Sequence, residues 1–313
     1  MELEFVKCQG SGNDFVMIDA MSQRVERLDI SRLAVEACDR ERGIGADGLL
    51  LAVRVGGGFG MRMFNPDGSE AEMCGNGIRC VARMIRKYTN ADRFTLSSGG
   101  RRYAVARETD IDGGVRTYGV RIPIAMYSPD FAMFGPGERF VARAIPQLDG
   151  ELAFTALSLG NPHIVAQCDR IDLQRLEYLG RRVCELPELF PRGVNVSLYE
   201  VAGRDSIAVA TFERGAGLTL SCGTAMTAST TAAVLTGAMP EERTIKVRNR
   251  GGMVLCRCET GESPATELIG NASFEYAGVI KCGDGELSFE KTKIYDAETA
   301  SYREFAEKSR VEL

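Results

Sequence analysis

Two cysteines in distant parts of the chain share one local pattern. Cys74 precedes Gly75-Asn76-Gly77, and Cys222 precedes Gly223-Thr224-Ala225. After Cys74, apolar residues recur at helical spacing, and after Cys222 the residues are mostly small. Each cysteine is therefore predicted to stand at the first turn of a helix. The unpaired amides of that turn carry partial positive charge, which is expected to lower the pKa of a thiol. Each cysteine is therefore a candidate base.

The same helix starts are candidate sites for a carboxylate. A substrate carboxylate docks against the amides of Gly75 and Asn76, or of Gly223 and Thr224, beside the sulfur. If both helices begin at one cleft, one thiolate removes a proton from a carbon while the opposite thiol delivers one to the other face. That reaction inverts a stereocentre. The alternative for either cysteine is a buried packing residue.

Composition favours a folded soluble protein over a nucleic-acid-binding or membrane protein. The chain has 313 residues, of which 44% are hydrophobic and 26% charged, and a net charge of −5. That length suggests about two domains, and the charge leaves no basic field for a phosphate backbone. The acidic start and the absence of an apolar run of roughly 20 residues predict a cytoplasmic protein without a membrane partner.

Ten cysteines in a chain of this length are too dilute for a disulfide scaffold. Their spacing does not match a zinc knuckle, and the chain has one histidine, so no structural metal is expected. Acid and base chemistry must then rely on cysteine, carboxylate, lysine or that one imidazole.

Hydrophobic periodicity divides the chain into two similar halves, with a boundary near Pro123 where proline and glycine become frequent. Each half is predicted to hold several strands and two helices, the second of which follows the Cys-Gly pair, so we infer an ancestral duplication. The charged residues 282–313 are predicted to form a strand and a peripheral helix. The predicted helices cover residues 30–39, 75–88, 173–184 and 223–235, and the strands cover 2–7, 15–19, 48–55, 60–64, 94–107, 115–122, 152–159, 163–168, 194–201 and 207–213.

Eight motifs, in order and up to about Ile280, resemble those of the diaminopimelate epimerase family. The asparagine at position 76 fits this family better than its proline racemase-like relatives, which carry histidine there. The motifs are Gly12-Asn13-Asp14-Phe15, Gly43-Ile44-Gly45-Ala46-Asp47-Gly48, Phe64-Asn65-Pro66-Asp67-Gly68-Ser69, Met73-Cys74-Gly75-Asn76-Gly77, Gly160-Asn161-Pro162-His163, Asn195, Glu213-Arg214-Gly215 and Ser221-Cys222-Gly223-Thr224.

The resemblance implies an α+β fold of two pseudo-symmetric domains, each a curved, mostly antiparallel sheet around a central helix. Residues 1–122 with about 271–313 would form the half that carries Cys74. Residues 123–270 would form the half that carries Cys222. A final strand near residues 270–280 would return to the first domain.

The resemblance also implies an activity: interconversion of LL- and meso-diaminopimelate by two-base proton transfer, in lysine and peptidoglycan precursor biosynthesis. It implies no cofactor, and a small amino acid as the only expected partner, with the homodimer left open. Cys74 and Cys222 would be the bases, supported by His163 and Glu213. The residues expected to contact substrate are Asn13, Asn65, Gly75, Asn76, Asn161, Asn195, Glu213, Arg214, Gly223 and Thr224.

Four positions depart from the commonest pattern of that family, and other functions stay open. Gln9 replaces a histidine, Gly48 a glutamine, Leu218 a glutamate and Ala225 a glycine. The departures leave the reaction type intact but allow a racemase of another amino acid, for example histidine. A thiol redox switch and a binding module without catalysis are the alternatives from other classes; neither would exchange the α-hydrogen of an amino acid with solvent.

Overall fold

The computed structural model describes residues 2–71, 73–112, 114–126, 131, 138–281 and 287–311. The chain divides into two compact units. Unit 1 comprises Met1–Val120 and Ile269–Phe305, and unit 2 comprises Arg121–Leu268 and Ala306–Leu313. The domain boundary expected near Pro123 stays a prediction, because most of the proline- and glycine-rich segment after it lies outside the described residues.

Strands outnumber helices in both units. The first part of the chain forms β1 (Glu2–Gly10), β2 (Asn13–Asp19), α1 (Ile30–Cys38), β3 (Gly48–Val55), β4 (Gly58–Phe64), β5 (Glu70–Ala71), α2 (Gly75–Ile85), a 3-10 turn (Arg86–Tyr88), β6 (Arg93–Ser98), β7 (Arg101–Arg107) and β8 (Thr117–Pro123). The middle forms β9 (Phe140–Ile145), β10 (Asp149–Ser158), β11 (Pro162–Gln167), α3 (Leu173–Arg182), a 3-10 turn (Val183–Glu185), β12 (Asn195–Gly203), β13 (Ser206–Glu213), β14 (Gly217–Leu218), α4 (Gly223–Leu235), β15 (Ile245–Asn249), β16 (Gly252–Glu259) and β17 (Ala265–Asn271). The last part forms β18 (Ser273–Lys281), β19 (Ser288–Ile294) and α5 (Asp296–Ser309).

The two units repeat one topology. In unit 1, β1 and β2 are antiparallel, β2 and β3 are parallel across α1, β3 and β4 are antiparallel, and β4 and β6 are parallel across α2. In unit 2, β10 to β13 and β15 repeat these pairings, with α3 and α4 as the crossovers. The outer neighbour of β1 is β18, and that of β10 is β9. The predicted duplication and the α+β class are confirmed.

One helix lies at the centre of each unit. Helix α2 buries every residue except Arg83 and contacts β1, β2, β3, β4 and β7. Helix α4 buries all residues from Gly223 to Ala233 and contacts strands from β10 to β16. A helix that is buried all round needs side chains that let strands approach closely, and the small residues of α4 meet that need. The sheets thus fix the position of each helix N-terminus.

The predicted elements are largely confirmed, with one difference near the C-terminus. Residues 270–280 form the end of β17 and most of β18, interrupted at Ala272, and β18 returns to pair with β1. The amide of Ala272 donates to the carbonyl of Arg116 at 2.9 Å, just before β8. The tail forms the expected strand and helix, β19 and α5, although part of residues 282–287 lies outside the described range. Across the described ranges, no helix has the length and apolar character needed to cross a membrane.

Candidate active site

Each of the two cysteines caps the N-terminus of a central helix, as predicted. Cys74 is the N-cap of α2, and Cys222 is the N-cap of α4. The sulfur of Cys74 accepts a hydrogen bond from the Gly77 amide at 3.3 Å. A Cβ at position 77 would lie 3.0 Å from Leu50 and 3.5 Å from the sulfur. Glycine therefore lets the amide, the sulfur and the strand approach one another.

In unit 1, the structure brings Asn13 and Asn76 to Cys74. The thiol of Cys74 donates to Asn13 Oδ1 across 3.8 Å, and the Nδ2 of Asn76 donates to the same oxygen across 3.5 Å. Asn76 is buried, with 4% of its surface exposed. Gly75, the first residue of α2, is also buried. The three polar side chains thus meet at one amide oxygen.

Asn65 has its hydrogen bonds within its own turn. Its backbone amide donates to the Ser69 carbonyl at 2.8 Å, and its Nδ2 donates to Ser69 Oγ at 3.0 Å. Gly68 closes the turn with φ of +84°, a conformation that favours glycine. The role of Asn65 in substrate binding stays a prediction.

In unit 2, a chain of hydrogen bonds connects five predicted site residues. Cys222 Sγ donates to Glu213 Oε2 at 3.0 Å and lies 3.5 Å from Thr224 Oγ1. Asn161 Nδ2 donates to the same hydroxyl at 3.3 Å. His163 Nε2 lies 3.1 Å from Asn161 Oδ1, and this geometry assigns the ring proton to Nε2. The chain therefore runs from the imidazole through Asn161 and Thr224 to the thiol and ends at the carboxylate.

Asn195 lies between this chain and Arg214. Asn195 is in register with His163 on the parallel strands β12 and β11, and its Nδ2 lies 3.5 Å from His163 Nε2. Its Oδ1 accepts from the Arg214 backbone amide at 2.9 Å. The guanidinium of Arg214 is exposed and donates to the Arg192 carbonyl at 2.8 Å. A guanidinium has five N–H donors, so this one contact leaves Arg214 able to hold a carboxylate.

The expected lowering of the cysteine pKa values is wrong for this structure. Burial raises the pKa of the Cys74 thiol to about 11, and this exceeds the opposite effect of the Gly77 amide. Burial, together with the negative charge of Glu213, raises the pKa of Cys222 well above its usual value. Moving a thiolate from water into the protein costs more free energy than the amides of a helix N-terminus give back. Both thiols are therefore neutral near neutral pH in this conformation.

His163 is a neutral imidazole over most of the pH range. It is fully buried, and burial, with a smaller contribution from the charge of Arg214, lowers its pKa to about 3. Its protonated Nε2 donates to Asn161 Oδ1, and the Asn195 Nδ2, itself a donor, lies 3.5 Å from the same ring nitrogen. The expectation that it holds or accepts a thiol proton therefore stays a prediction, and its hydrogen bond supports a role in positioning Asn161.

Two acidic residues near Asn13 were missed as functional candidates. Asp47 Oδ2 accepts from Asn13 Nδ2 at 2.8 Å, and the backbone amide of Asp47 donates to the Asp14 carbonyl at 2.9 Å. Asp14 and Asp47 both lie inside motifs identified in the sequence. The glycines of those motifs indicated turns, so the two acids were not among the predicted site residues. In unit 2, sequence reasoning also missed a small cavity beside Cys222, lined by Thr211, Leu220, Ser221, Met226, Asn249 and Arg250.

The structure shows what surrounds the four residues that depart from the family pattern. Gln9 is buried, and its Oε1 accepts from the Gly12 amide at 3.1 Å. A Cβ at Gly48 would lie 3.0 Å from both Met63 Cε and the Phe64 carbonyl. Leu218 pairs with Phe212 across β14 and β13, and Ala225 is fully buried in α4. Among the described residues, no group of three His, Cys, Asp or Glu side chains is placed to hold a metal ion.

Comparison with known proteins decides the family. The model of the family described as diaminopimelate epimerase matches residues 5–113 and 155–275. The chain belongs to the diaminopimelate epimerase family. A diaminopimelate epimerase of Clostridium acetobutylicum is 36% identical over 99% of this chain and 96% of its own length. One of Enterococcus faecalis is 36% identical over 97% of this chain and 98% of its own. The family is one of isomerases, and the resemblance seen in the motifs is confirmed.

Solved structures with low sequence identity share the diaminopimelate epimerase-like fold. A PhzF-family phenazine biosynthesis protein of Bacillus anthracis has a TM-score of 0.64 at 14% identity, covering 90% of this chain and 100% of that chain. A probable proline racemase of Agrobacterium radiobacter has a TM-score of 0.59 at 14% identity, covering 90% and 93%. The duplicated architecture is therefore common to proteins with different names.

Proposed function

We propose that the protein interconverts LL- and meso-diaminopimelate by cofactor-independent proton transfer between Cys74 and Cys222, in lysine and peptidoglycan precursor biosynthesis. The observation that carries the proposal is the equivalence of the two cysteines: each is the N-cap of the central helix in units of the same topology. Family membership adds the substrate, because the relatives of Clostridium acetobutylicum and Enterococcus faecalis are named for it.

The proposed reaction uses the two sulfurs on opposite faces of one α-carbon. The Cys74 thiolate takes the α-hydrogen, so a C–H bond breaks and an S–H bond forms. The Cys222 thiol delivers its proton to the other face, which leaves Cys222 as thiolate. The reverse reaction restores both. Amides at the starts of α2 and α4 stabilise the negative charge that develops on the substrate.

The environments of the sulfurs support this assignment of acid and base. The Cys222 thiol donates a hydrogen bond to the Glu213 carboxylate, which favours the thiol, whereas Cys74 accepts a hydrogen bond from the Gly77 N–H, which favours the thiolate. With a pKa of about 11, about one Cys74 in a thousand is thiolate three pH units lower. An α-ammonium group of a bound amino acid beside the sulfur would increase that fraction.

Recognition of the second amino-acid group of diaminopimelate is assigned to unit 2 residues. The exposed guanidinium of Arg214 would form paired hydrogen bonds with a carboxylate, and Glu213 would accept from an ammonium group. Asn161 and Asn195 supply amides that the hydrogen-bond chain holds in fixed orientation. A substrate lacking the distal group would lose the contacts with Glu213 and Arg214.

The test is incubation of the purified protein with LL-diaminopimelate in heavy water. We expect the meso isomer to form with deuterium at the inverted α-carbon, measured by NMR and mass spectrometry. Cys74→Ala and Cys222→Ala should each abolish net inversion, and Cys184→Ala, at an exposed cysteine outside the site, should not change it. Deuterium incorporation into histidine or another amino acid, with none into diaminopimelate, would establish the alternative racemase; no exchange in any amino acid would refute the reaction.

A further inference from the structure

The side-chain amide of Asn13 is held from both ends. Its Nδ2 donates to Asp47 Oδ2 at 2.8 Å. Its Oδ1 lies 3.8 Å from Cys74 Sγ and 3.5 Å from Asn76 Nδ2. A carboxylate only accepts hydrogen bonds, so Asp47 can face the NH2 end of Asn13 and not its oxygen. The carboxylate therefore decides which end of the amide the sulfur meets.

Asp47 is itself fixed in place. Its Oδ1 accepts from Arg40 Nη2 at 2.7 Å, and its Oδ2 also accepts from the Asp14 backbone amide at 3.1 Å. Arg40 and the buried Lys7 both pair with the Asp14 carboxylate. Two cations and two carboxylates thus form one neutral cluster around the Asn13 amide, and the cluster gives Asp47 a single orientation.

We propose that Asp47 is a positioning residue that keeps the carbonyl oxygen of Asn13 facing the sulfur of Cys74. The proposal rests on the proposed role of Cys74 as a base, because the orientation of Asn13 matters to catalysis only if that sulfur gains and loses a proton. An amide oxygen accepts the S–H and favours the thiol; an amide NH2 in its place would favour the thiolate. By holding Asn13 in this orientation, Asp47 keeps the S–H of Cys74 directed at Asn13 Oδ1 and makes loss of that proton less favourable.

The Asp47→Asn variant tests this with the shape of the side chain kept. Its single oxygen would pair with the charged Arg40 guanidinium, at the loss of the bond from the Asp14 backbone amide, and its NH2 would then face Asn13. The Asn13 amide would turn over and present N–H groups to the sulfur. We expect the pH midpoint for alkylation of Cys74 by iodoacetamide, followed by mass spectrometry of its peptide, to fall by about one unit, the effect of a single hydrogen bond.

A double-mutant cycle with Asn13→Ala separates positioning from a general structural effect. If Asp47 acts through Asn13, Asp47→Asn should shift the midpoint in the parent protein and leave it unchanged in the Asn13→Ala background. Arg79 and Cys80, the other titratable groups that influence Cys74, are the same in all four proteins. Equal shifts in both backgrounds, or no shift in the parent, would overturn the proposal.

Two controls keep the experiment decisive. Asp149→Asn in unit 2 also removes a carboxylate paired with an arginine, Arg175, and should leave the Cys74 midpoint in place. Alkylation of the buried Cys8 reports loss of folding in any variant. If Asp47→Asn does not fold, Asn13→Ala alone must lower the midpoint, and an unchanged value there refutes the orientation argument. Because alkylation needs no substrate, a wild-type protein without epimerase activity would disprove the proposed function and still leave the positioning measurable.

Discussion

The thiol of Cys222 donates a hydrogen bond to Glu213 Oε2 across 3.0 Å. The equivalent cysteine of unit 1, Cys74, has an amide nitrogen and amide oxygen as its partners and no carboxylate among those described. The two units therefore share a topology but place different charge next to the sulfur. The duplicated fold supplies two similar helix starts, but the Glu213 carboxylate beside Cys222 favours the thiol, whereas the Gly77 amide at Cys74 favours the thiolate.

Removing the charge of Glu213 should make Cys222 more acidic. In Glu213→Gln the neighbouring negative charge that raises the pKa of Cys222 is gone, while burial remains. We expect the alkylation midpoint of Cys222 to fall by about one pH unit but to stay above that of an exposed thiol. Site-resolved alkylation across a pH series measures it, and turnover should fall because the thiol loses the charged acceptor that favours its protonated form.

The matched control for this variant is Glu267→Gln. Glu267 lies in the same unit and is partly buried, but it pairs with Arg257. Its substitution should leave the Cys222 midpoint unchanged. An equal shift in both variants would mean that net charge, and not the hydrogen bond to Glu213, sets the acidity of the thiol.

Burial of His163 should make the protein less stable in acid. Its pKa is lowered from 6.5 to about 3, so between these values the unfolded chain binds a proton that the folded chain does not. The contribution of neutral His163 is complete above the unfolded pKa and decreases as the pH falls. Between about pH 7 and about pH 5 the free energy of unfolding should decrease by about 2 kcal/mol from this residue alone.

Urea unfolding of the wild type and of His163→Gln at the two pH values isolates that contribution. Glutamine can still donate to Asn161 but does not titrate, so the variant should lose about 2 kcal/mol less than the wild type over the same interval. Identical pH dependence of the two proteins would show that His163 is protonated, or exposed, in the folded state.

The sequence was sufficient for the helix starts and for most of the strands, but it did not predict β9, β15 or β16. Alternation and helical spacing predicted the central helices, including Gly223–Leu235 with the bounds observed. The Cys-Gly pattern predicted that both cysteines stand at helix N-termini, and the structure places them there. Hydrophobic periodicity predicts these helices and strands because most of them bury one face, so that apolar residues recur along that face. Helix α4 is instead buried on all sides from Gly223 to Ala233.

The protonation of the site was not accessible from the sequence. The positive end of a helix is visible in a Cys-Gly pattern, but the desolvation that overrides it depends on how neighbouring strands cover the sulfur. The same holds for Asp47, which lies 34 residues from Asn13, since the two meet only because β2 and β3 are parallel neighbours. Local sequence shows which groups are present, and tertiary packing decides which of them touch.

Gly180 packs so closely against Phe212, the neighbour of Glu213, that no side chain fits at position 180. A Cβ on Gly180 in α3 would lie 2.1 Å from the ring of Phe212, the residue before Glu213. Gly180→Ala should therefore destabilise the protein by about 1–3 kcal/mol and displace Glu213 from Cys222. Gly150→Ala, where a Cβ meets open space, is the control and should leave the urea midpoint almost unchanged. Equal midpoints for the two variants would show that α3 moves freely away from β13.

The hydroxyl of Thr224 should matter more for turnover than for stability. It accepts from Asn161 Nδ2 and contacts Cys222 Sγ, and its hydrogen bond to the sulfur acts to lower the pKa of that thiol. Thr224→Val keeps most of the side-chain volume but removes both contacts, so the pKa of Cys222 should rise and the Asn161 amide should lose its fixed orientation. We expect kcat for epimerisation to fall by about tenfold or more, with a loss in unfolding free energy of about 1 kcal/mol. Thr224→Ser retains the hydroxyl and should recover most of kcat. If the valine variant turned over like the wild type, or the serine variant were equally impaired, the chain of hydrogen bonds from His163 to Cys222 would have no part in catalysis.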